Sequence, residues 1–82
     1  MANSNPEQLR EYLGRLVILR FTDGEVVEVE LLGVDLVEHR DVEYEVRRIL
    51  TPSPARGYAV QVGGTYVGKI ADLGSWESAE SP

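Results

Sequence analysis

From Leu16 to Asp35 the chain reads LVILRFTDGEVVEVELLGVD, two runs of alternating apolar and other residues on either side of an Asp-Gly pair. A period of two puts Val17, Leu19 and Phe21 on one face of a first strand, and Val27, Val29 and Leu31 on one face of a second. Asp23-Gly24 tolerates the positive φ angles of a two-residue hairpin turn, so the runs predict a β-hairpin with those six side chains inward. Glu28 and Glu30 occupy the other face of the second strand, as expected of a solvated side. Gly33 interrupts that strand, and a glycine within a strand marks a bulge or a bend, so the strand is expected to bend there and continue to about Val37.

On either side of the hairpin the pattern changes. Residues 1–5 are polar and read as a mobile N-terminus. Asn5 suits an N-cap, Pro6 a first helical position and Glu7 the positive helix end, so a short helix is predicted over residues 6–14. Its apolar stripe is Leu9, Tyr12, Leu13 and Leu16, with Gly14 as the stop. At barely three turns, such a helix must pack on the sheet to be stable. After a polar turn from His39 to Asp41, Val42, Tyr44 and Val46 alternate with Glu43, Glu45 and Arg47 as a third strand. The phase breaks at Ile49-Leu50, and Thr51–Gly57, with two prolines and a glycine, is the main loop. Tyr58–Val62 reads as a fourth strand, Gly63-Gly64 as a turn and Thr65–Ala71 as a fifth strand. From residue 73 to 82 the composition turns to Gly, Ser, Glu and Pro, a tail that carries Trp76.

The length of 82 residues bounds this to a single domain, and a bent sheet closed on itself is an economical way for so short a chain to bury a core. A helix and five short antiparallel strands, the second strongly bent, predict a mainly β, SH3-like small barrel over residues 15–72. The net charge of −6, from 14 acidic against 8 basic residues, opposes attraction of the whole protein to nucleic acid or to anionic membranes but leaves room for a local basic patch. With no cysteine and one histidine there is no disulfide frame, thiolate chemistry or Cys/His metal site, and no cofactor is expected. No signal peptide or apolar run of spanning length is visible, so the expected location is the cytoplasm.

The run GRLVILRFTDG resembles the first motif of the Sm/LSm/Hfq-type small-barrel family. Gly14-Arg15, Val17, Leu19, Phe21, Asp23-Gly24, Val27, Leu31, Val34 and Asp35 fall at matching positions, and Val60, Val62, Gly64, Val67 and Ile70 match a degenerate second motif. The likeness spans Pro6 to Ile70, and Tyr66–Ile70 is also similar to the end of a PRC-type barrel. Three positions depart from the Sm pattern: Val29 replaces a glycine, His39 an asparagine and Gly63 an arginine. In RNA-binding members that asparagine and arginine line the base pocket. The resemblance therefore implies a kept scaffold with an altered site.

The implied RNA-contact candidates are Asp35, His39 and Gly64. Asp35 orients a pocket residue or caps the bent strand, with capping the better-supported role, and His39 contacts a base or is merely solvated. Arg47, Arg48 and Arg56 form a phosphate-facing patch or pair with Glu43 and Glu45. Tyr58 and Tyr66 stack on bases or pack, and Trp76 folds over the barrel or anchors a partner. No nucleophile stands beside a base and no phosphate loop occurs, so an enzyme is not expected. The last two predicted strands lack the charges that protect an edge, so Tyr58, Val60, Val62, Val67 and Ile70 are candidates for an interface between copies, closed head to tail into a ring. Two functions follow: a homo-oligomer contacting single-stranded RNA, or a structural or protein-binding module on the same fold that has lost RNA.

Overall fold

The computed structural model describes residues 5–53 and 60–80. Five antiparallel strands form one sheet: β1 (Leu16–Phe21), β2 (Val26–Asp35), β3 (Asp41–Thr51), β4 (Thr65–Lys69) and β5 (Leu73–Ser78). Their order is β4-β3-β2-β1-β5, preceded by a short 3-10 helix, Pro6–Tyr12. No helix among the described residues is long and apolar enough to cross a membrane.

The hairpin faces lie as the alternation predicts. Val17, Leu19, Phe21, Val27, Val29 and Leu31 are all buried, with Val42, Tyr44 and Val46 of β3 packed over them. The turn itself differs from the two-residue form. Phe21 N–H donates to the Glu25 carbonyl at 2.8 Å and Gly24 N–H to the Phe21 carbonyl at 3.1 Å, which makes a three-residue connection, Thr22–Gly24. Only Gly24, at φ 100°, needs the left-handed region, and Asp23 Oδ1 accepts from Glu25 N–H at 2.9 Å to fix the exit.

The bend near Gly33 is a bulge, since pairing with β3 shifts between Leu31 and Gly33 and leaves Leu32 as the extra residue. The strand ends at Asp35, short of Val37, because the Asp35 carboxylate captures the next N–H groups and turns the chain. Where the apolar phase broke at Ile49-Leu50 the strand does not stop. Register shifts at Arg47 and Leu50 absorb the extra residues, and β3 runs to Thr51.

The helix expected over 6–14 is 3-10 rather than α. Asn5 caps it through a 3.2 Å bond from Glu7 N–H, Leu9 is buried and Tyr12 packs on the core, but the tighter winding leaves Leu13 exposed. Gly14 ends it at φ 77° and joins the sheet through Leu31.

Two corrections concern the C-terminal half. Of the predicted fourth strand Tyr58–Val62, the first part lies outside the described residues, and Val60–Val62 is not a strand; Val60 inserts into the core from irregular chain. The expected fifth strand is β4, and it stops at Lys69 because Ile70–Asp72 forms a 3-10 turn. The supposed tail supplies β5. It pairs with β1 from Val17↔Ser78 to Phe21↔Leu73 and buries Leu73 and Trp76.

β4 and β5 do not pair, so the ladder is open among the described residues. The sheet is nevertheless curled. Lys69 and Leu73 lie four residues apart, at most about 14 Å of extended chain, whereas five flat strands would hold the edges about 19 Å apart. A turn of three residues thus carries the chain from one edge to the other only because the sheet curves at that end.

Candidate functional site

At the β2–β3 end of the sheet, Asp35 is the organising side chain. Its Oδ1 accepts from Val37 N–H and Glu38 N–H, both at 3.0 Å, and its Oδ2 from His39 N–H at 3.3 Å. His39 Nδ1 lies 3.1 Å from the same Oδ2. The capping role read from sequence is what the geometry displays, and it also fixes the position of an exposed imidazole.

The Val37 N–H, then the Glu38 N–H, then the His39 side chain hold the Asp35 carboxyl below its ordinary 3.8, at about 2. The fold favours the charged form, so this contribution to the loop is complete above the ordinary carboxylate value and disappears as pH falls through about 2. The expected result is a carboxyl carbon resonance of Asp35 that titrates near pH 2, with the amide shifts of Val37–His39 moving in step. A midpoint near 3.8 would show the cap to be absent in solution.

Gly64 does not join this site. Val46 N–H donates to the Gly64 carbonyl, whereas Asp35 faces Asp41, and Val46 lies five residue steps along the strand from Asp41, about 17 Å. The glycine has a packing reason, because a Cβ there would stand 2.8 Å from the Tyr66 ring. Tyr66 itself packs, its ring 6.2 Å from that of Tyr44 and its hydroxyl accepting from Gln61 N–H at 2.9 Å.

The structure brings other residues to the loop. Lys69 faces Asp41 across β3–β4, and Ile70 N–H donates to the Arg40 carbonyl at 2.9 Å. Lys69 and Arg40 therefore stand at the same end as His39. Nothing in the local sequence flags this, since it depends on the β3–β4 register.

The described arginines of the proposed patch, Arg47 and Arg48, are held in ion pairs, chiefly across strands to β2 and with Glu45 but not with Glu43. Arg47 pairs with Glu30 and lies 3.7 Å from Glu45, Arg48 is 3.2 Å from Glu28, Arg20 pairs with Glu77, and Arg15 is 3.6 Å from Glu80. Arg56 and Tyr58 lie outside the described residues. Among the described residues, Arg10, Arg40 and Lys69 are the cations with no carboxylate within 4.0 Å.

The interface candidates divide as well. Val60 and Ile70 are buried in their own chain and offer no area to a second copy. Val62 and Val67 are open, 63% and 64% exposed. Ile70 N–H points to β3, so the alternation of an antiparallel ladder turns the backbone groups of Tyr66 and Gly68 to β3 and those of Thr65, Val67 and Lys69 outward. By the same rule, the bond from Ala79 N–H to the Leu16 carbonyl turns the backbone N–H and C=O groups of Trp76 and Ser78 away from β1, although the Trp76 side chain is buried.

No protein-family model matches this chain, and no match is found among curated proteins or solved structures.

Proposed function

We propose that this chain is a non-enzymatic small-barrel protein of Sm type whose work is assembly, the β4 edge of one copy pairing with the β5 edge of the next. The observation that carries the reading is the pair of open edges. They are different surfaces, so their union is heterologous and propagates head to tail until rotation closes a ring. β4 presents outward N–H and C=O groups together with the exposed Val67, and no charge on that strand other than Lys69 blocks an approaching edge. Pairing would satisfy the backbone and cover apolar surface in one step.

Light scattering after size exclusion tests this, the expected mass being a multiple of 9.1 kDa. Val67→Pro removes a backbone donor that faces away from β3, so it is expected to release folded monomers with an unchanged circular dichroism spectrum. A monomeric parent protein would sink the reading, and an oligomer indifferent to Val67→Pro would move the interface elsewhere.

A second reading, the same assembly with single-stranded RNA as ligand, draws on the Sm resemblance and on the gathering of His39, Arg40 and Lys69 at one end. It ranks below assembly alone because four of the seven described arginines and lysines are committed to carboxylates. Anisotropy with U-rich and A-rich oligonucleotides at low salt separates the two, since phosphate-driven binding is strongest there.

A further inference from the structure

Between the 3-10 helix and the β2–β3 loop lies an open cleft of about 630 Å³, walled by Pro6, Glu7, Arg10, Leu36, Val37 and Arg40. Two arginines from separate elements share it. Neither has a carboxylate partner, in a chain whose other described arginines all do. With Glu7 the three charged side chains sum to +1, against −6 for the whole chain, so the cleft is locally positive where the protein is not.

Arg40 is held there at a conformational cost. It is the one described non-glycine residue with positive φ, at 50°, a region where glycine or asparagine is the economical choice. Its backbone carbonyl is tied to Ile70 N–H, and its Nη1 donates to the Leu36 carbonyl at 2.9 Å. One of its five donors is thus spent on fixing the guanidinium, and the rest of the fork is left for a ligand. The wall beside it is apolar. Val37 is 81% exposed on the loop, so an occupant of the cleft has hydrocarbon to cover as well as charge to meet.

We infer that this cleft is a binding site for a small organic phosphate, its phosphoryl group taken between Arg10 and Arg40 and its apolar body laid on Leu36 and Val37. Two guanidiniums offer paired donors to a phosphoryl group's oxygens and match its double charge better than the single charge of a carboxylate. The site is independent of assembly, because none of its residues belongs to β4 or β5.

Phenyl phosphate is a suitable probe, read by NMR at the Nε–Hε resonances of Arg10 and Arg40 and the methyls of Val37. Saturable shifts with a Kd of about 1 mM or tighter are expected. Inorganic phosphate, which lacks the apolar body, and benzoate, which lacks the second charge, should each bind roughly tenfold more weakly. Arg10→Gln should weaken phenyl phosphate about tenfold, the loss of one charge-assisted contact. Arg40→Gly separates site from scaffold: it relieves the positive φ, so the variant should melt at or above the parent temperature while losing the phosphate. Absence of saturable shifts at both guanidiniums, or undiminished binding in Arg10→Gln and Arg40→Gly, would overturn the site. Benzoate binding as tightly as phenyl phosphate would overturn the assignment to a phosphate.

Discussion

Truncation after Asp72 is expected to leave the chain unfolded, and Trp76→Ala alone to cost roughly 3–5 kcal/mol. Either effect is large for a domain of this size, whose whole stability is on the order of 4–12 kcal/mol. The reason is topological. β5 is the outer partner of β1 along Val17–Phe21, and Trp76 lies opposite Leu19 with almost no exposed surface. Without β5 the first strand becomes an edge and the core loses both Trp76 and Leu73. Trp76→Phe should be milder than Trp76→Ala. It keeps most of the volume and removes an indole Nε1 that is buried without a hydrogen-bond partner among the described residues. Urea melts of the three variants give the order directly. A truncated chain that melts like the parent would mean that β5 is not part of the folding unit.

β5 was also the element least visible in the amino-acid pattern. Its six residues, LGSWES, carry two buried side chains three apart, because pairing slips at Arg20/Phe21 and breaks the period of two. Gly, Ser and Glu around a single aromatic then look like a tail. The opposite error arose at Tyr58–Val62, where the residues alternate well enough to imitate a strand, although Val60 reaches the core from irregular chain. Alternation is sufficient evidence only when an adjacent strand supplies the facing apolar row, as β1 and β2 do for each other.

The loop end was legible in part. Asp35 and His39 are close in sequence, and a carboxylate at a strand end captures the following N–H groups by local geometry alone. Arg40 and Lys69 are far apart in sequence, and only the β3–β4 register brings them together. Arg10 reaches the same end because the 3-10 helix packs beside the β2–β3 loop. Gly64, set beside Asp35 by motif position, is instead a spacer for the Tyr66 ring, midway along β3 beside Val46.

Val27→Asp and Leu31→Asp are each expected to abolish folding, whereas Glu28→Lys and Glu30→Lys are expected to leave the fold intact. Both apolar residues are fully buried, Val27 between Leu19 of β1 and Ile49 of β3, and Leu31 opposite Tyr44. A carboxylate placed there has no partner among apolar neighbours, and it must either charge in a medium of low dielectric or protonate against its ordinary pKa. Either course costs several kcal/mol, added to the lost apolar contact, and this approaches the whole stability of the domain. Glu28 and Glu30 stand on the other face, paired with Arg48 and Arg47. Removing a pair of that partly solvated kind costs about 0–1 kcal/mol, with a little more for the new repulsion between lysine and arginine. The contrast depends on register alone, since the four positions lie within five consecutive residues and a slip by one would exchange the outcomes. Circular dichroism with urea titration separates the cases, and unfolded lysine variants beside folded aspartate variants would place the core on the opposite face of β2.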